Sequence, residues 1–119
     1  NARVVAADAA LVLSRFVPDE SVRAVHVYFP DPWWKRRHQK RRIVTPELAR
    51  ALHRILERGG TLYLATDVEE RFHAILEALS GAPFEVRIGE SAPGRPLTNF
   101  ERKYRAAGRP IHSAALVKR

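Results

Sequence analysis

Short apolar runs of strand length alternate with segments of helical periodicity along this chain. Residues 2–8, 24–29 and 61–66 are apolar runs of the kind that form strands. Helical spacing of apolar residues follows the first and third of these runs, and a further helical segment precedes the third. This alternation predicts an open, largely parallel α/β sheet. With 119 residues, the chain is long enough for one modest domain, so we treat residues 1–119 as a single unit.

Two helix starts carry recognisable capping residues. Thr45 precedes a proline at the first helical position and is predicted to cap a helix that stops at Gly59 and Gly60. Asp67 precedes Glu70 by three residues, which resembles a capping box at the start of another helix. Asp67 is therefore open to two interpretations, as a helix cap or as a ligand contact, and the two roles are compatible.

The remaining segments complete a sheet. Residues 24–29 are apolar apart from His26, which favours a buried strand. Residues 84–88 alternate apolar and polar side chains, as expected of a half-exposed strand. We expect a loop at 91–96, a short helix within 98–108 and a last strand at 111–117.

Basic residues are concentrated in one stretch. The net charge is +8, and six of the eight residues 35–42, KRRHQKRR, are Lys or Arg. Such a cluster attracts the phosphates of a polyanion through counterion release. A solvated surface run or a localisation tract is the alternative interpretation of the cluster taken alone.

Several functional classes are excluded or unsupported. The chain has no cysteine, which excludes disulfides, thiolate nucleophiles and cysteine-ligated zinc. It contains no apolar run of about 20 residues and no signal-peptide pattern, so we expect a cytoplasmic protein without a membrane span. No histidine forms a ligand pair with a carboxylate, so no metal is predicted. The chain begins at Asn1 and has no methionine, so we expect it to be part of a longer translation product.

Three aspartates follow predicted strands directly or within a few residues. Asp8, Asp31 and Asp67 would lie at the carboxyl ends of these strands, where ligands bind in open α/β sheets. Asp31 lies between two prolines in FPDPWW, and their fixed φ angles make a stiff turn. A purely structural turn at Asp31 and a helix cap at Asp8 are the alternatives.

Three separated motifs together resemble one family. FPDPWWKRRHQKRR at 29–42, GGTLYLATD at 59–67 and RPLTNFERKYRAAGRPI at 95–111 are similar, in this order, to motifs of the bacterial tRNA (guanine-N7)-methyltransferases. The resemblance covers nearly the whole chain. It implies a Rossmann-like class I S-adenosylmethionine-dependent methyltransferase fold, of which this chain is the C-terminal part of the sheet and therefore incomplete.

The resemblance also implies roles for individual residues. Asp31 would be the catalytic acid beside the cofactor, and Asp8 would contact the adenosine of S-adenosylmethionine. Guanine N7 has a free lone pair, so Asp31 would orient the base by accepting hydrogen bonds from its N1 and N2 donors instead of removing a proton. The residues expected to contact RNA are Lys35, Asp67, Thr98, Asn99, Phe100 and Glu101, together with the basic side chains Arg36, Arg37, Lys40, Arg41 and Arg42.

The implied function is methyl transfer from S-adenosylmethionine to N7 of guanine 46 in the variable loop of tRNA, by a monomer or homodimer. No glycine-rich strand-turn-helix loop occurs in these residues, so the chain alone is expected to be inactive. The alternative is a non-catalytic RNA-binding module or fragment that has lost cofactor binding. Because the strand before Asp8 lacks its usual neighbours, we expect residues 1–16 to be irregularly paired, swapped between chains or poorly anchored.

Overall fold

A computed structural model of the chain describes residues 9–28, 45–90 and 111–119. In these residues two helices pack on a sheet of four strands, and a third helix, the first along the chain, packs against one of these two. The predicted strand at 2–8, the loop at 91–96 and the helix within 98–108 lie outside the described residues. In chain order the elements are α1 (Ala9–Arg15), β1 (Val22–Tyr28), α2 (Pro46–Ile55), β2 (Leu56–Thr66), α3 (Glu69–Leu79), β3 (Phe84–Ile88) and β4 (His112–Lys118).

The sheet has the strand order β1-β2-β4-β3. β1 and β2 are parallel and are connected through α2, whereas β4 runs antiparallel to both of its neighbours. The prediction of a largely parallel sheet is therefore wrong for the described residues. The sequence shows where strands begin and end, but it does not show that the last strand inserts between two earlier ones with reversed direction.

The core lies on one face of this sheet. Leu62 pairs with Leu116 and Leu64 pairs with Ala114, so the same face of β2 and β4 carries these four side chains. α2 and α3 cover that face, and each large apolar side chain buried there contributes about 1.5–3 kcal/mol. The buried cluster comprises Leu48, Ala49, Leu52, Leu56, Leu62, Leu64, Phe72, Ile75, Leu79, Ala114 and Leu116.

α2 starts as predicted but ends earlier than predicted. The Thr45 hydroxyl accepts a hydrogen bond from the Leu48 amide at 3.2 Å, which confirms the N-cap. The predicted stop at Gly59 and Gly60 is wrong, since the helix ends at Ile55 and β2 begins with Leu56, which is fully buried.

The two glycines serve β2 instead of ending the helix. The pairing with β1 shifts between Val22 and Ala24, where a bulge in β2 takes up the extra residues. Gly59 has a φ of +79°, and a Cβ at Gly60 would lie 3.0 Å from the Arg23 carbonyl oxygen. Glycine is therefore needed for the positive φ at one position and for the close approach of β1 at the other.

β1 differs from its prediction in burial. None of its residues is buried, and Ala24 and His26 are exposed. β2 is its one neighbour among the described strands. Its apolar sequence therefore indicated a strand correctly but overestimated the burial. The strands predicted at 84–88 and 111–117 are confirmed as β3 and β4, the second shifted by one residue.

Arg54 of α2 joins α1 to the rest of the fold. Its guanidinium donates hydrogen bonds to the carbonyl oxygens of Leu13 at 2.6 Å and Val17 at 3.0 Å, and forms an ion pair with Asp19. Leu13 also packs against the core. The described part of the N-terminal segment is thus joined to α2. The pairing of residues 2–7, on which the expectation for residues 1–16 depends, lies outside the described residues.

A lysine and a histidine lie together between α2, β3 and β4. Lys118 is buried and donates a hydrogen bond from Nζ to the Leu56 carbonyl oxygen at 2.7 Å, with the Glu20 carboxylate at 3.8 Å. The His53 ring meets Phe84 edge to face at 5.1 Å, and its buried Nε2 has no hydrogen-bond partner among the described residues. Burial, and then the charge of Lys118, lower the pKa of His53, against a backbone hydrogen bond at Pro83 that raises it.

This arrangement predicts a loss of stability at mildly acidic pH. The folded-state pKa of His53 lies below the ordinary 6.5, so the unfolded chain is protonated first as the pH falls. Neutral His53 contributes fully to the free energy of unfolding above pH 6.5. This contribution is lost as the pH falls from 6.5 to the folded-state pKa. The free energy of unfolding, measured by urea denaturation, should decrease as the pH falls across this window in the wild-type protein. In a His53→Leu variant it should stay constant.

His73→Gln, at an exposed position, is the matched control. Its free energy of unfolding should change with pH as in the wild type. Glu47 and Glu85 do not interfere, because hydrogen bonds lower both pKa values below 4.5, so their contributions are lost only at pH values below that. If the free energy of unfolding of the His53→Leu variant still decreases with falling pH as in the wild type, other groups cause the acid sensitivity.

Candidate nucleic-acid and methyl-transfer site at the carboxyl edge

The carboxyl ends of β1 and β2 meet at one edge of the sheet. The two strands are parallel, and the last residue of β1, Tyr28, pairs with Ala65, one residue before the end of β2. β2 ends at Thr66 and is followed directly by Asp67. β1 therefore ends at the edge of the sheet where Asp67 lies.

β4 brings a third segment of the chain to the same edge. Because β4 is antiparallel to β2, its first residue, His112, pairs with Thr66. β4 thus begins at the edge of the sheet where β1 and β2 end. The motif at 29–42 begins directly after β1, the motif at 59–67 ends at Asp67, and the motif at 95–111 ends directly before β4. Each motif is therefore continuous in the sequence with a strand end at this edge, which we call the carboxyl edge.

Most of the predicted site residues lie outside the described residues. Asp67 is the exception, and it lies at the carboxyl end of a strand as predicted. Asp8 directly precedes α1 in the sequence, and Asp31 follows β1 by three residues. The predicted residues outside the described ranges are Asp8, Asp31, Lys35, Arg36, Arg37, Lys40, Arg41, Arg42, Thr98, Asn99, Phe100 and Glu101.

Asp67 does not cap the following helix. α3 begins at Glu69, its N-cap position is Val68, and no side chain caps it. The capping-box interpretation of Asp67 is therefore wrong. Asp67 is half-buried, and within the described residues no group forms a hydrogen bond or ion pair with its carboxylate.

Thr66, which was not among the predicted site residues, lies beside Asp67. Its side chain is 2% exposed, and its hydroxyl accepts a hydrogen bond from the Val68 amide at 3.3 Å. This bond spans Asp67 and defines the turn between β2 and α3. A threonine at the buried end of an apolar strand, directly before an acid, is the sequence signal that could have indicated it.

Two other kinds of feature, a metal-binding cluster and a membrane-spanning helix, do not occur in the described residues. Residues 9–28, 45–90 and 111–119 contain no group of three or more His, Asp or Glu side chains that could hold a metal ion. None of the described helices is long and apolar enough to cross a membrane.

Comparison with known proteins agrees with the motifs. The model of the family Methyltransf_4, described as "Putative methyltransferase", matches residues 1–114. A tRNA (guanine-N(7)-)-methyltransferase of Cupriavidus necator is 40% identical over 126 residues, which cover 100% of this chain and 48% of that protein. A protein of the same name from Myxococcus xanthus is 36% identical over 123 residues, covering 99% of this chain and 60% of that protein. The chain thus spans about half the length of the curated relatives it matches, and the resemblance inferred from the motifs is confirmed.

Solved structures share the fold. A precorrin-6y C5,15-methyltransferase from Geobacter metallireducens has a TM-score of 0.55 and 15% identity, covering 94% of this chain and 52% of that one. An SAM-dependent O-methyltransferase from Thermotoga maritima has a TM-score of 0.52 and 16% identity, covering 90% of this chain and 37% of that one. These similarities confirm the Rossmann-like methyltransferase fold and its partial coverage by this chain.

Proposed function

Since the chain belongs to the Methyltransf_4 family, we propose that the protein is a tRNA (guanine-N7)-methyltransferase to which this chain contributes the base-binding and RNA-binding part of the site. The observation that carries the proposal is the carboxyl edge. Three motifs separated by up to about 50 residues in the sequence are each continuous with a strand end at one edge of one sheet. In open α/β sheets this edge is where ligands bind.

The proposed division of roles follows the chemistry of the side chains. Asp31 orients guanine by accepting hydrogen bonds from N1 and N2, which leaves N7 free to attack a methyl group. Asp67 accepts hydrogen bonds from hydroxyl or amino donors of the RNA. The basic residues of the segment 35–42 bind phosphates, which positions the RNA without reading its sequence.

S-adenosylmethionine is the proposed methyl donor, and it supplies an electrophilic methyl group on a sulfonium. The described residues fit this cofactor only in part. No described residue belongs to a glycine-rich loop, and Asp67, the one predicted site residue that the structure describes, is assigned to RNA. Asp8 and Asp31 are the residues that we assign to cofactor contact, on the basis of the sequence motifs.

The finer assignments are proposals of the same kind. They comprise methylation of guanine 46 in the variable loop, a monomer or homodimer, and a cytoplasmic location. The proposed chemistry depends on positioning the reacting atoms, because N7 of guanine requires no deprotonation before methyl transfer.

The test is direct identification of the product. Full-length protein is incubated with unmodified tRNA and S-adenosylmethionine, the RNA is digested, and the nucleosides are identified by mass spectrometry. The expected product is 7-methylguanosine, and cleavage mapping of the intact tRNA should place it in the variable loop. A different methylated nucleoside would contradict the N7 assignment. RNA binding without S-adenosylmethionine binding, measured by calorimetry, would instead support a non-catalytic RNA-binding module.

A further inference from the structure

We propose that Thr66 is a positioning residue, whose buried hydroxyl holds the turn that presents the Asp67 carboxylate to RNA at the carboxyl edge. The proposal rests on the proposed function, in which Asp67 contacts RNA. Thr66 is 2% exposed, so its hydroxyl has no access to a ligand and acts through its neighbours.

The strand fixes one side of the turn. Thr66 is the last residue of β2 and pairs with His112 of β4, while the preceding Ala65 pairs with Tyr28 of β1. The backbone that leads to Asp67 is therefore held within the sheet on both sides up to this point.

The hydroxyl of Thr66 fixes the other side of the turn. It accepts the Val68 amide hydrogen at 3.3 Å, so residues 66 and 68 are joined and the backbone of Asp67 is enclosed between them. The bond does not serve as the cap of α3, whose N-cap residue Val68 receives no side-chain cap. The carboxylate of Asp67 thus starts from a restrained backbone, which lowers the entropy lost when it binds a ligand.

Packing alone does not require threonine at this position. Valine has nearly the same shape, is at least as favourable in strands, and does not place a hydroxyl in a buried environment. The cost of burying the hydroxyl is offset by the hydrogen bond to Val68. A polar side chain at this buried strand end is explained by the turn that it holds.

The test compares Thr66→Val, Thr66→Ser, Asp67→Asn and the double variant Thr66→Val/Asp67→Asn in full-length protein. Thr66→Val removes the acceptor and keeps the shape, whereas Thr66→Ser keeps the acceptor. Thr61→Val is the matched control, because Thr61 lies on the same strand away from the carboxyl edge, opposite Ala24 and Val117. KM and kcat for tRNA methylation and the melting temperature are measured for each variant.

Thr66→Val is expected to raise KM for tRNA roughly 3- to 10-fold, because the Asp67 backbone is no longer restrained before it binds RNA. The value of kcat should stay close to wild type, and loss of the internal hydrogen bond should lower the melting temperature by at most a few degrees. Thr66→Ser and Thr61→Val should keep the wild-type KM. In the Asp67→Asn background, Thr66→Val should raise KM no further, because both changes act on the same contact.

Other outcomes overturn the proposal. An equal KM increase from Thr66→Val with and without Asp67 would mean that Thr66 acts independently of that carboxylate. If both Thr66 variants have a lower melting temperature and an unchanged KM, Thr66 contributes only to stability. If Asp67→Asn itself leaves KM unchanged, Asp67 does not contact the RNA and the proposal for Thr66 is wrong. The proposed methyl transfer is tested separately, by detection of 7-methylguanosine.

Discussion

Asp31→Asn in the full-length protein is expected to lower kcat/KM for tRNA methylation by about 100-fold. The carboxylate offers two acceptors, which match the N1 and N2 donors of guanine. Asparagine keeps one acceptor and places an amide donor against the other donor of the base. Loss of a hydrogen bond to a charged group costs about 1.5–3 kcal/mol, which corresponds to roughly 10- to 150-fold.

Measuring cofactor affinity distinguishes an effect of Asp31→Asn on guanine from an effect on the cofactor. S-adenosylmethionine affinity, measured by calorimetry, should stay within a few-fold of wild type if Asp31 mainly orients guanine. Glu77→Gln is the matched control, since it makes the same acid-to-amide change at an exposed position near the end of α3 and should leave activity unchanged. Full activity of Asp31→Asn would remove the assignment, and a loss confined to cofactor affinity would reassign Asp31 to the cofactor.

Local sequence signals predicted the described elements well where short-range chemistry decides them. Thr45 followed by proline identified the start of α2, because the capping hydrogen bond involves residues three apart. The alternating residues of 84–88 identified β3 for the same reason, as side-chain alternation is a property of the strand itself.

Signals that depend on distant partners gave wrong predictions. Gly59 and Gly60 resemble a helix stop, yet they lie in a bulge because β1 approaches closely at Gly60. β1 was predicted to be buried from its apolar residues, but burial depends on which strands flank it. Asp67 resembles a cap because the spacing to Glu70 fits, whereas the N-cap position of α3 is Val68 and no side chain caps the helix.

The sequence predicted the type of candidate site, but it did not predict how the strands that position the site are arranged. The motifs identified the family and the aspartates that follow strands, and Asp67 lies where that reasoning placed it. The sequence did not show that β4 would run antiparallel beside β2 and so bring the segment before His112 to the same edge. That arrangement depends on pairing between strands about 50 residues apart, which no local pattern encodes.

The second large effect is expected at Arg54, which anchors α1. Arg54→Ala should lower the free energy of unfolding by about 2–3 kcal/mol, because it removes charged hydrogen bonds to the carbonyl oxygens of Leu13 and Val17. The ion pair with Asp19 adds little, since that carboxylate is largely exposed. Urea denaturation of the full-length protein measures the change.

Arg50→Ala is the matched control on the same helix. Arg50 is 66% exposed and its pair with Glu47 spans 3.7 Å, so its loss should cost less than about 0.5 kcal/mol. Because α1 begins directly after Asp8, Arg54→Ala should also weaken S-adenosylmethionine binding if Asp8 contacts the cofactor, and Arg50→Ala should not. Equal stability of the two variants would show that α1 is held by its apolar contacts, chiefly Leu13, and that the two carbonyl oxygens are satisfied equally well by water.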